Sequence, residues 1–231
     1  MMLHGHAVSV VVPTLNEAAG VRKVIAAVPK TVDEVVVVDG GSRDETREIA
    51  ARCGATVVLE ERKGYGRALR TGFERCAGPI IATTDGDGTY PVEILERIVG
   101  HLVAHDLDFI SCSRFPLQEP RSMGRQTRFG NYLMTKAASL LWLHPFQDIL
   151  SGMWVFRKPI LEKLALYSDG WNLSEEIKLQ AYQKAGPKFR EFHIPYHERL
   201  GQTKLSPWPV GVENMAYMLV LRAGLVGWFK R

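Results

Sequence analysis

The carboxylates Asp85 and Asp87 are the side chains of this sequence best suited to chemistry. They flank Gly86 directly after Pro79–Thr84, an apolar run that predicts a buried strand. Two carboxylates at this spacing can reach one hard cation, because the glycine leaves no side chain between them. Mg²⁺ and Mn²⁺ prefer oxygen ligands and fill the rest of their shell with water and phosphate oxygens. The pattern therefore predicts a divalent-metal site.

Two other interpretations of this acidic loop stay open from the residues alone. One is a calcium-binding loop, because Asp85, Asp87, Thr89 and Glu96 fall at its first, third, fifth and twelfth positions. The glycine expected at its sixth position is Tyr90, and a strand rather than a helix precedes it. The other interpretation is a plain Asp-Gly turn.

Three further loops carry polar or glycine-rich patterns. Pro13–Glu17 follows the first predicted strand, and Asp39–Ser42 follows the second, where Asp39 could accept N–H donors from a nucleobase or ribose. Lys63-Gly64-Tyr65-Gly66-Arg67 is basic at a helix start and predicts a phosphate cradle. It lacks the Gly-Lys-Ser/Thr of the nucleotide hydrolases, and the first strand is not followed by a dinucleotide fingerprint.

The elements that must position these loops alternate along the chain. Predicted strands are Val8–Val12, Glu34–Val38, Thr56–Glu60, Pro79–Thr84 and Asp108–Ser113; predicted helices are Ala18–Val28, Asp44–Cys53, a segment ending at Cys76, and Pro91 to about His105. Continuous apolar strands that alternate with helices predict an α/β fold with a mostly parallel sheet, helices on both faces and right-handed crossovers. Ligands bind such sheets at the carboxyl ends of the strands, where all of these loops fall.

The second half is less regular. Arg114–Arg128 is a basic segment that we expect to be a loop, and Phe129–Leu143, Pro159–Leu166 and Ser174–Ala185 predict helices. Trp154–Arg157 and Phe189–Ile194 predict strands, the latter at a sheet edge. Arginine binds phosphate oxygens through two donors, although any single arginine here could equally be a solvated surface charge.

Composition sets the limits. The chain has 231 residues, enough for one α/β domain with a short appendage. A net charge of +4 fits a protein that meets phosphates or an anionic membrane, and equally one that does neither. The three cysteines lack metal-ligand spacing and predict buried thiols in a reducing compartment. We find no signal peptide and no apolar run of spanning length.

Together the motifs resemble the family-2 glycosyltransferases of GT-A (Rossmann-like) fold, and within them dolichol-phosphate mannose synthase and related polyprenyl-phosphate hexose synthases. The likeness runs from about Val8 to Leu205, through the segments VVPTLNE, VVVVDGGSRDET, KGYGRALRTGF, ATTDGDGTYP, SRF, RFGN, DILSG and IPYHERLGQTKL. It departs at Gly40, where many relatives have a second acidic residue, and at Thr89, where many have a glutamine. Many relatives also carry C-terminal transmembrane helices.

The resemblance implies roles for individual residues. The residues that would bind the nucleotide are Pro13, Thr14, Asn16, Glu17, Asp39, Lys63, Gly64 and Asp85, and those that would bind the metal are Asp85 and Asp87. The residues that would bind the donor diphosphate and the acceptor phosphate are Arg114, Arg125, Arg128, Arg199 and Lys204. Asp148 would face the reaction site, and Asp87, Asp148, Arg114 and Arg128 would be the catalytic residues.

The implied reaction is metal-assisted transfer of a hexose, with inversion, from GDP-mannose, UDP-glucose or UDP-N-acetylglucosamine to a polyprenyl phosphate. The phosphate acceptor is already largely dianionic at neutral pH and needs no general base. The alternative is transfer to a glycan or lipid hydroxyl with Asp148 as the base. A nucleotidyltransferase and a non-enzymatic nucleotide-sugar-binding or scaffold protein fit the loops less well.

The chain is expected to divide into a catalytic domain, residues 1–205, and a C-terminal helical segment, residues 206–231. Phe129–Leu143, with Lys136, and the C-terminal segment, with Trp208, Trp228 and its terminal cations, suit a membrane interface. Arg222 argues against a transmembrane crossing, and packing on the domain or on a second copy is the other possibility. We expect a peripheral protein on the cytoplasmic side of a membrane that binds no nucleic acid and could form a homo-oligomer.

Overall fold

A seven-stranded sheet forms the centre of the protein in a computed structural model, which describes residues 3–202 and 207–225. The strands are β1 Val8–Thr14, β2 Glu34–Asp39, β3 Thr56–Leu59, β4 Ile80–Thr83, β5 Phe109–Ser113, β6 Trp154–Arg157 and β7 Phe189–His193. Their order is β3-β2-β1-β4-β6-β5-β7, and only β6 runs antiparallel to its neighbours β4 and β5. The mostly parallel sheet that the sequence predicts is confirmed, with β7 at its edge.

Helices cover both faces of this sheet, as predicted. They are α1 Val21–Ala27, α2 Thr46–Arg52, α3 Tyr65–Arg75, α4 Leu95–Ala104, α5 Arg125–Trp142, α6 Leu173–Ala185 and α7 Pro207–Arg222. One core joins β1 residues such as Val10 to α1, α2 and α4, and a second joins Val11 to α3, α5, α6 and α7. Successive valines of β1 therefore face opposite cores, which is why valines occur on both faces of the strand.

The bounds of several elements differ from the sequence-based expectation. The basic segment is shorter than expected, because α5 begins at Arg125 and only residues 114–124 connect it to β5. The segment predicted as a helix at Pro159–Leu166 is a 3₁₀-helix, Lys158–Lys163. Residues 18–20 form a turn before α1, so Asn16 and Glu17 lie in a tight loop rather than at a helix start.

The C-terminal helix α7 packs on α5 and α6. Met218 is fully buried in this contact, and the Tyr217 hydroxyl donates to Glu176 Oε1 at 2.7 Å. Among the residues that the structure describes, no helix is long and apolar enough to cross a membrane. Packing on the domain thus accounts for the buried face of α7, and the division of the chain after residue 205 stays a prediction.

Candidate active site

The polar loops predicted from sequence meet at one edge of the sheet because β2, β1 and β4 are adjacent. Thr14 ends β1, Asp39 ends β2, and Asp85 closely follows the end of β4 at Thr83. All three strands run parallel, so their carboxyl ends share this edge. The expected position of the site at the carboxyl ends of the strands agrees with this geometry.

The first two loops are tied to each other by side chain–backbone hydrogen bonds. The Asn16 N–H donates to Ser42 Oγ at 2.8 Å, and Asn16 Oδ1 accepts from the Arg43 N–H at 2.8 Å. The Glu17 N–H donates to Thr46 Oγ1 at 2.8 Å. Pro13 and Thr14 precede this loop as buried residues of β1. These bonds hold the loop predicted for nucleotide binding in one conformation.

Asp39 stabilises the turn that follows β2 by accepting hydrogen bonds at both carboxylate oxygens. Its Oδ1 accepts from the N–H groups of Gly41 at 3.0 Å and Ser42 at 2.8 Å. Its Oδ2 accepts from the hydroxyls of Thr14, at 3.2 Å, and Ser42. The side chain is fully buried. Both Asp39 oxygens therefore accept hydrogen bonds from the surrounding loops, and the expected contact of Asp39 with a nucleoside stays a prediction.

Asp85 and Asp87 point their carboxylates into one polar cluster. Asp85 Oδ1 accepts from the Tyr65 hydroxyl at 2.9 Å. Asp87 Oδ1 accepts from both the N–H of Thr89, at 3.0 Å, and its hydroxyl, at 2.7 Å. Thr89, the residue that replaces the expected glutamine, thus orients Asp87 through its side chain.

Arg199 joins this cluster from a segment far away in sequence. Its Nη1 donates to Asp87 Oδ2 and its Nη2 to Glu17 Oε1, both at 2.6 Å. The surrounding segment lies along the acidic loop, because the Leu200 N–H donates to the Asp87 carbonyl and the His197 N–H to the Thr89 carbonyl, both at 2.9 Å. The guanidinium therefore occupies the Asp87 oxygen that Thr89 leaves open.

The electrostatics of this cluster favour an added cation. Burial, and then the neighbouring charge of Asp87, raise the pKa of Asp85 to about 7, against the opposing effects of Tyr65 and Arg199. Glu17 adds a third carboxylate, so one guanidinium faces three acids. Hard carboxylate oxygens with excess negative charge fit Mg²⁺ or Mn²⁺.

Within the described part of the chain, no group of three or more His, Cys, Asp or Glu side chains is arranged as a complete metal site. A pair of carboxylates is nevertheless the usual protein share for Mg²⁺ when a substrate phosphate supplies further oxygens. The donor set is therefore suited to a cation that is shared with a phosphate ligand.

Arg114 lies beside this cluster in a buried ion pair with Asp148. Its backbone N–H and Nε donate to Asp148 Oδ2 at 3.0 and 2.7 Å, and its Nη2 donates to Asp148 Oδ1 at 2.9 Å and to Asn131 Oδ1 at 2.8 Å. The Asp148 carboxylate is fully buried, and Arg114 holds its pKa below the usual range in spite of burial. Both oxygens face Arg114, which disagrees with the alternative in which Asp148 acts as a general base.

Lys178 of α6 supports the same ion pair and was missed by the sequence analysis. Its buried Nζ donates to the carbonyls of Asp148 and Ser151, each at 3.0 Å. Burial lowers its pKa to about 7, although the Asp148 charge opposes this shift. In the sequence Lys178 looks like any polar residue of a helix, and no local signal separates it from a surface lysine.

Two of the remaining predicted cations, Arg125 and Arg128, lie at the surface. Arg125 and Arg128 occupy the first turn of α5 and are exposed. This helix has no side-chain cap, so its first N–H groups and the two arginines together form a positive end. Lys204 falls in residues 203–206, which the structure does not describe.

The predicted phosphate cradle has a different environment from the one expected. Lys63 and Gly64 are exposed, but the N–H groups of Gly66 and Arg67 at the start of α3 donate to the carbonyls of Gly170 and Asp169, each at 3.1 Å. These donors are therefore used within the protein. The sequence indicated a helix start near this segment. It did not indicate that residues 169 and 170 would cover that helix start.

Fold and site together define an α/β enzyme of the GT-A type, with a carboxylate pair at the carboxyl edge of the sheet. A family model described as glycosyl transferase family 2 matches residues 9–165. The dolichyl-phosphate hexose transferase of Haloferax volcanii is 34% identical over 206 residues, which cover 88% of each chain.

A second relative and a solved structure extend the comparison. The low-salt glycan biosynthesis hexosyltransferase Agl6 of the same organism is 35% identical over 223 residues; the match covers 94% of this chain but 54% of that protein, about half its length. Glucosyl-3-phosphoglycerate synthase from Mycobacterium tuberculosis, solved with Mn²⁺ and UDP, superposes with a TM-score of 0.75 at 24% identity, covering 96% of this chain and 81% of that one.

The chain therefore belongs to glycosyl transferase family 2. Within that family it resembles the polyprenyl-phosphate hexose synthases, as the motifs indicated. The fold and the hexosyltransferase class expected from sequence are confirmed by these matches.

Proposed function

We propose that this domain transfers a hexose from a nucleotide-sugar to a polyprenyl phosphate, with Mg²⁺ or Mn²⁺ bound at Asp85 and Asp87. The observation that carries the proposal is that two arginines, Arg199 and Arg114, lie close to one acidic loop. Arg199 bonds Asp87 directly. Arg114 lies 5.3 Å from the centre of the Tyr196 ring, and that ring packs edge-on against Tyr90, which follows the loop, with ring centroids 5.4 Å apart.

On the donor side, Asp85 and Asp87 would hold the metal. When bound, the cation would neutralise the charge that develops on the leaving nucleoside diphosphate. Arg199 would turn from the carboxylates to the diphosphate oxygens, for which its guanidinium is suited. The solved relative that binds Mn²⁺ with UDP supports this assignment, and the choice between Mg²⁺ and Mn²⁺ is left to experiment.

On the acceptor side, Arg114 and the positive first turn of α5 would hold the phosphate. Asn131 of α5 accepts from Arg114 Nη2, so this helix and the arginine are held together. The acceptor oxygen attacks the anomeric carbon, the bond from that carbon to the diphosphate breaks, and the configuration inverts. A phosphate monoester has a second pKa near 6 and needs no base, which agrees with an Asp148 whose oxygens both face Arg114.

The outer faces of α5 and α7 would place the domain on the lipid, as a peripheral protein at the cytoplasmic side of the membrane. Leu140 and Leu143 are 74% and 85% exposed, and Phe129 and Leu133 are exposed at the other end of α5. Lys136 lies 5.5 Å from the centre of the exposed Tyr132 ring on this face. Apolar side chains beside cations suit an interface with anionic lipids.

The decisive experiment incubates purified protein with short polyprenyl phosphate, Mg²⁺ or Mn²⁺ and radiolabelled nucleotide-sugars, and measures label in the organic phase. We expect one donor to label the lipid, and we expect EDTA or Asp87→Asn to abolish the label. Asp106→Asn, at an exposed carboxylate away from the cluster, should retain activity. Release of nucleoside diphosphate with no labelled lipid would instead favour the hydroxyl-acceptor alternative.

The membrane assignment has a separate test. Leu140→Glu should leave thermal unfolding unchanged and reduce cosedimentation with vesicles that contain anionic lipid. Equal binding by the variant and the unsubstituted protein would remove α5 from the proposed membrane surface.

A further inference from the structure

The glycine-rich segment Lys63–Arg67 has a structural role that its sequence did not suggest. Its central residue, Tyr65, is the first residue of α3 and donates its hydroxyl to Asp85 Oδ1 at 2.9 Å. On its other side the Tyr65 ring stacks on Trp171, with ring centroids 4.6 Å apart and an interplanar angle of 16°. A phenol held by an indole thus contacts one of the two proposed metal ligands.

Glycines make the close approach of these groups possible. Gly64 has φ +133°, and a Cβ there would lie 2.0 Å from the Asp169 carbonyl oxygen. A Cβ at Gly66 would lie 2.8 Å from the Gly170 carbonyl oxygen, and one at Gly152 would lie 2.6 Å from the Tyr65 hydroxyl. The segment around Trp171 can therefore sit against α3 only because side chains are missing at these points.

Ion pairs fix this segment on α3, and backbone hydrogen bonds fix it on α6. Asp169 accepts from Arg67 Nη2 at 2.7 Å and from Arg70 Nη1 at 3.0 Å. The backbone N–H groups of Tyr167 and Ser168 donate to the Glu176 carboxylate, both at 2.9 Å. Trp171 is thereby held at a defined place over Tyr65, and the phenol has little freedom to turn away from Asp85.

We propose that Tyr65 is a positioning residue of the metal site, which fixes the carboxylate of Asp85 while Trp171 fixes Tyr65. The need for such a group follows from charge, because Asp85 faces the carboxylates of Asp87 and Glu17 and would otherwise rotate away from them. The phenol donates to Oδ1, so Oδ2 would be the Asp85 oxygen that holds a cation. The inference rests on the metal site of the proposed function, but not on the identity of the sugar or the acceptor.

The test measures Mn²⁺ affinity directly, from the electron paramagnetic resonance signal of free Mn²⁺, with Mn²⁺ alone and with Mn²⁺ plus UDP or GDP. Tyr65→Phe keeps the aromatic ring and removes only the hydroxyl. Hydrogen-bond partners of metal ligands typically change metal affinity by about 10- to 100-fold, and we expect a loss of this size. Trp171→Leu should give a smaller loss, because the phenol stays but is less well held.

Tyr182→Phe is the control, because it removes a phenol hydroxyl from a ring that packs on Phe146 and Phe189 rather than near Asp85. It should leave Mn²⁺ affinity unchanged, and thermal unfolding should show that all variants are folded. Affinity of Tyr65→Phe within about twofold of the unsubstituted protein, or an equal loss in Tyr182→Phe, would overturn the inference. If the unsubstituted protein binds Mn²⁺ but labels no lipid, the proposed acceptor fails while the role of Tyr65 stands.

Discussion

Replacement of Arg199 by glutamine should tighten the binding of Mn²⁺ to the nucleotide-free protein. Arg199 Nη1 holds Asp87 Oδ2 at 2.6 Å, and Nη2 holds Glu17 Oε1 at 2.6 Å. A cation that uses Asp87 must displace this guanidinium or accept a positive charge beside it. Both effects oppose metal binding, and glutamine removes both. The bond from Thr89 to the other oxygen of Asp87 stays, so the carboxylate keeps its orientation.

The size of the effect follows from the contacts that are lost. A hydrogen bond to a charged group contributes roughly 1.5–3 kcal/mol. The Arg199 side chain is 28% exposed, which places each bond toward the lower end of that range and allows partial compensation by water. If Arg199 opposes metal binding by about 1.5–3 kcal/mol, its removal should raise the affinity for Mn²⁺ by between about 10- and 100-fold, at about 1.4 kcal/mol per tenfold change.

Titration of free Mn²⁺ by electron paramagnetic resonance provides the assay, with Arg97→Gln as the control. Arg97 carries the same charge but lies over the Phe192 ring, away from the carboxylates. We expect Arg199→Gln to bind Mn²⁺ more tightly and yet to lose the gain in affinity that a nucleoside diphosphate gives the unsubstituted protein. Equal or weaker Mn²⁺ binding by Arg199→Gln than by Arg97→Gln would refute the competition between guanidinium and metal.

Three further predictions concern the supports of the site. Asp148→Asn breaks the buried ion pair with Arg114 and should lower the free energy of unfolding, measured by urea denaturation, by about 3–5 kcal/mol. The acid limb of the pH–rate profile should stay unchanged. Loss of that limb would show that Asp148 acts as a general base. Gly64→Ala should lower the midpoint of thermal unfolding more than Gly41→Ala, because both have positive φ but only Gly64 has a carbonyl oxygen within 4 Å of the new Cβ; equal losses would contradict this. The pKa of Lys178 falls to about 7 from an ordinary 10.5, so between these pH values the unfolded chain binds the lysine proton more strongly than the folded chain does. The free energy of unfolding should therefore rise with pH, by up to about 1.4 kcal/mol per pH unit relative to Lys178→Met. Parallel pH dependences of the two proteins would exclude a lowered pKa of Lys178.

Much of the fold could be predicted because its signals are local and repeated. Five apolar runs in the first half were expected to be buried parallel strands. Each is a strand of the mostly parallel sheet, but β3 lies at a sheet edge and is only partly buried. Four of the five residues of Val8–Val12 are valines, and they occur on both faces of the strand, which distinguishes a strand covered on both faces from a half-exposed one. The meeting of the loops at one edge followed from the parallel direction alone. The 3₁₀-helix at Lys158–Lys163 was less predictable, because its short apolar pattern also fits an α-helix.

The site was harder to predict because its contacts join residues far apart in sequence. The spacing of Asp85 and Asp87 indicates a carboxylate pair. Arg199, however, contacts Asp87 across 112 residues of sequence, and Arg67 contacts Asp169 across 102. For Asp39, the sequence suggests a ligand contact at a strand end but does not show that both carboxylate oxygens also accept hydrogen bonds within the protein. Sequence indicated which groups carry charge, whereas the folded structure decided which of those charges are already neutralised.

This difference separates the two arginines that the proposed reaction needs. Arg114 is buried and held by Asp148, Asn131 and, through the carbonyl of Asp148, by Lys178, so its position is fixed before any ligand arrives. Arg199 lies on a partly exposed segment and is held by the carboxylates that a metal would need. A fixed cation suits the acceptor phosphate, which must be placed accurately for attack on the anomeric carbon. A cation released from Asp87 suits the donor diphosphate, because metal binding at that carboxylate would free the guanidinium for the phosphate oxygens that accompany the metal.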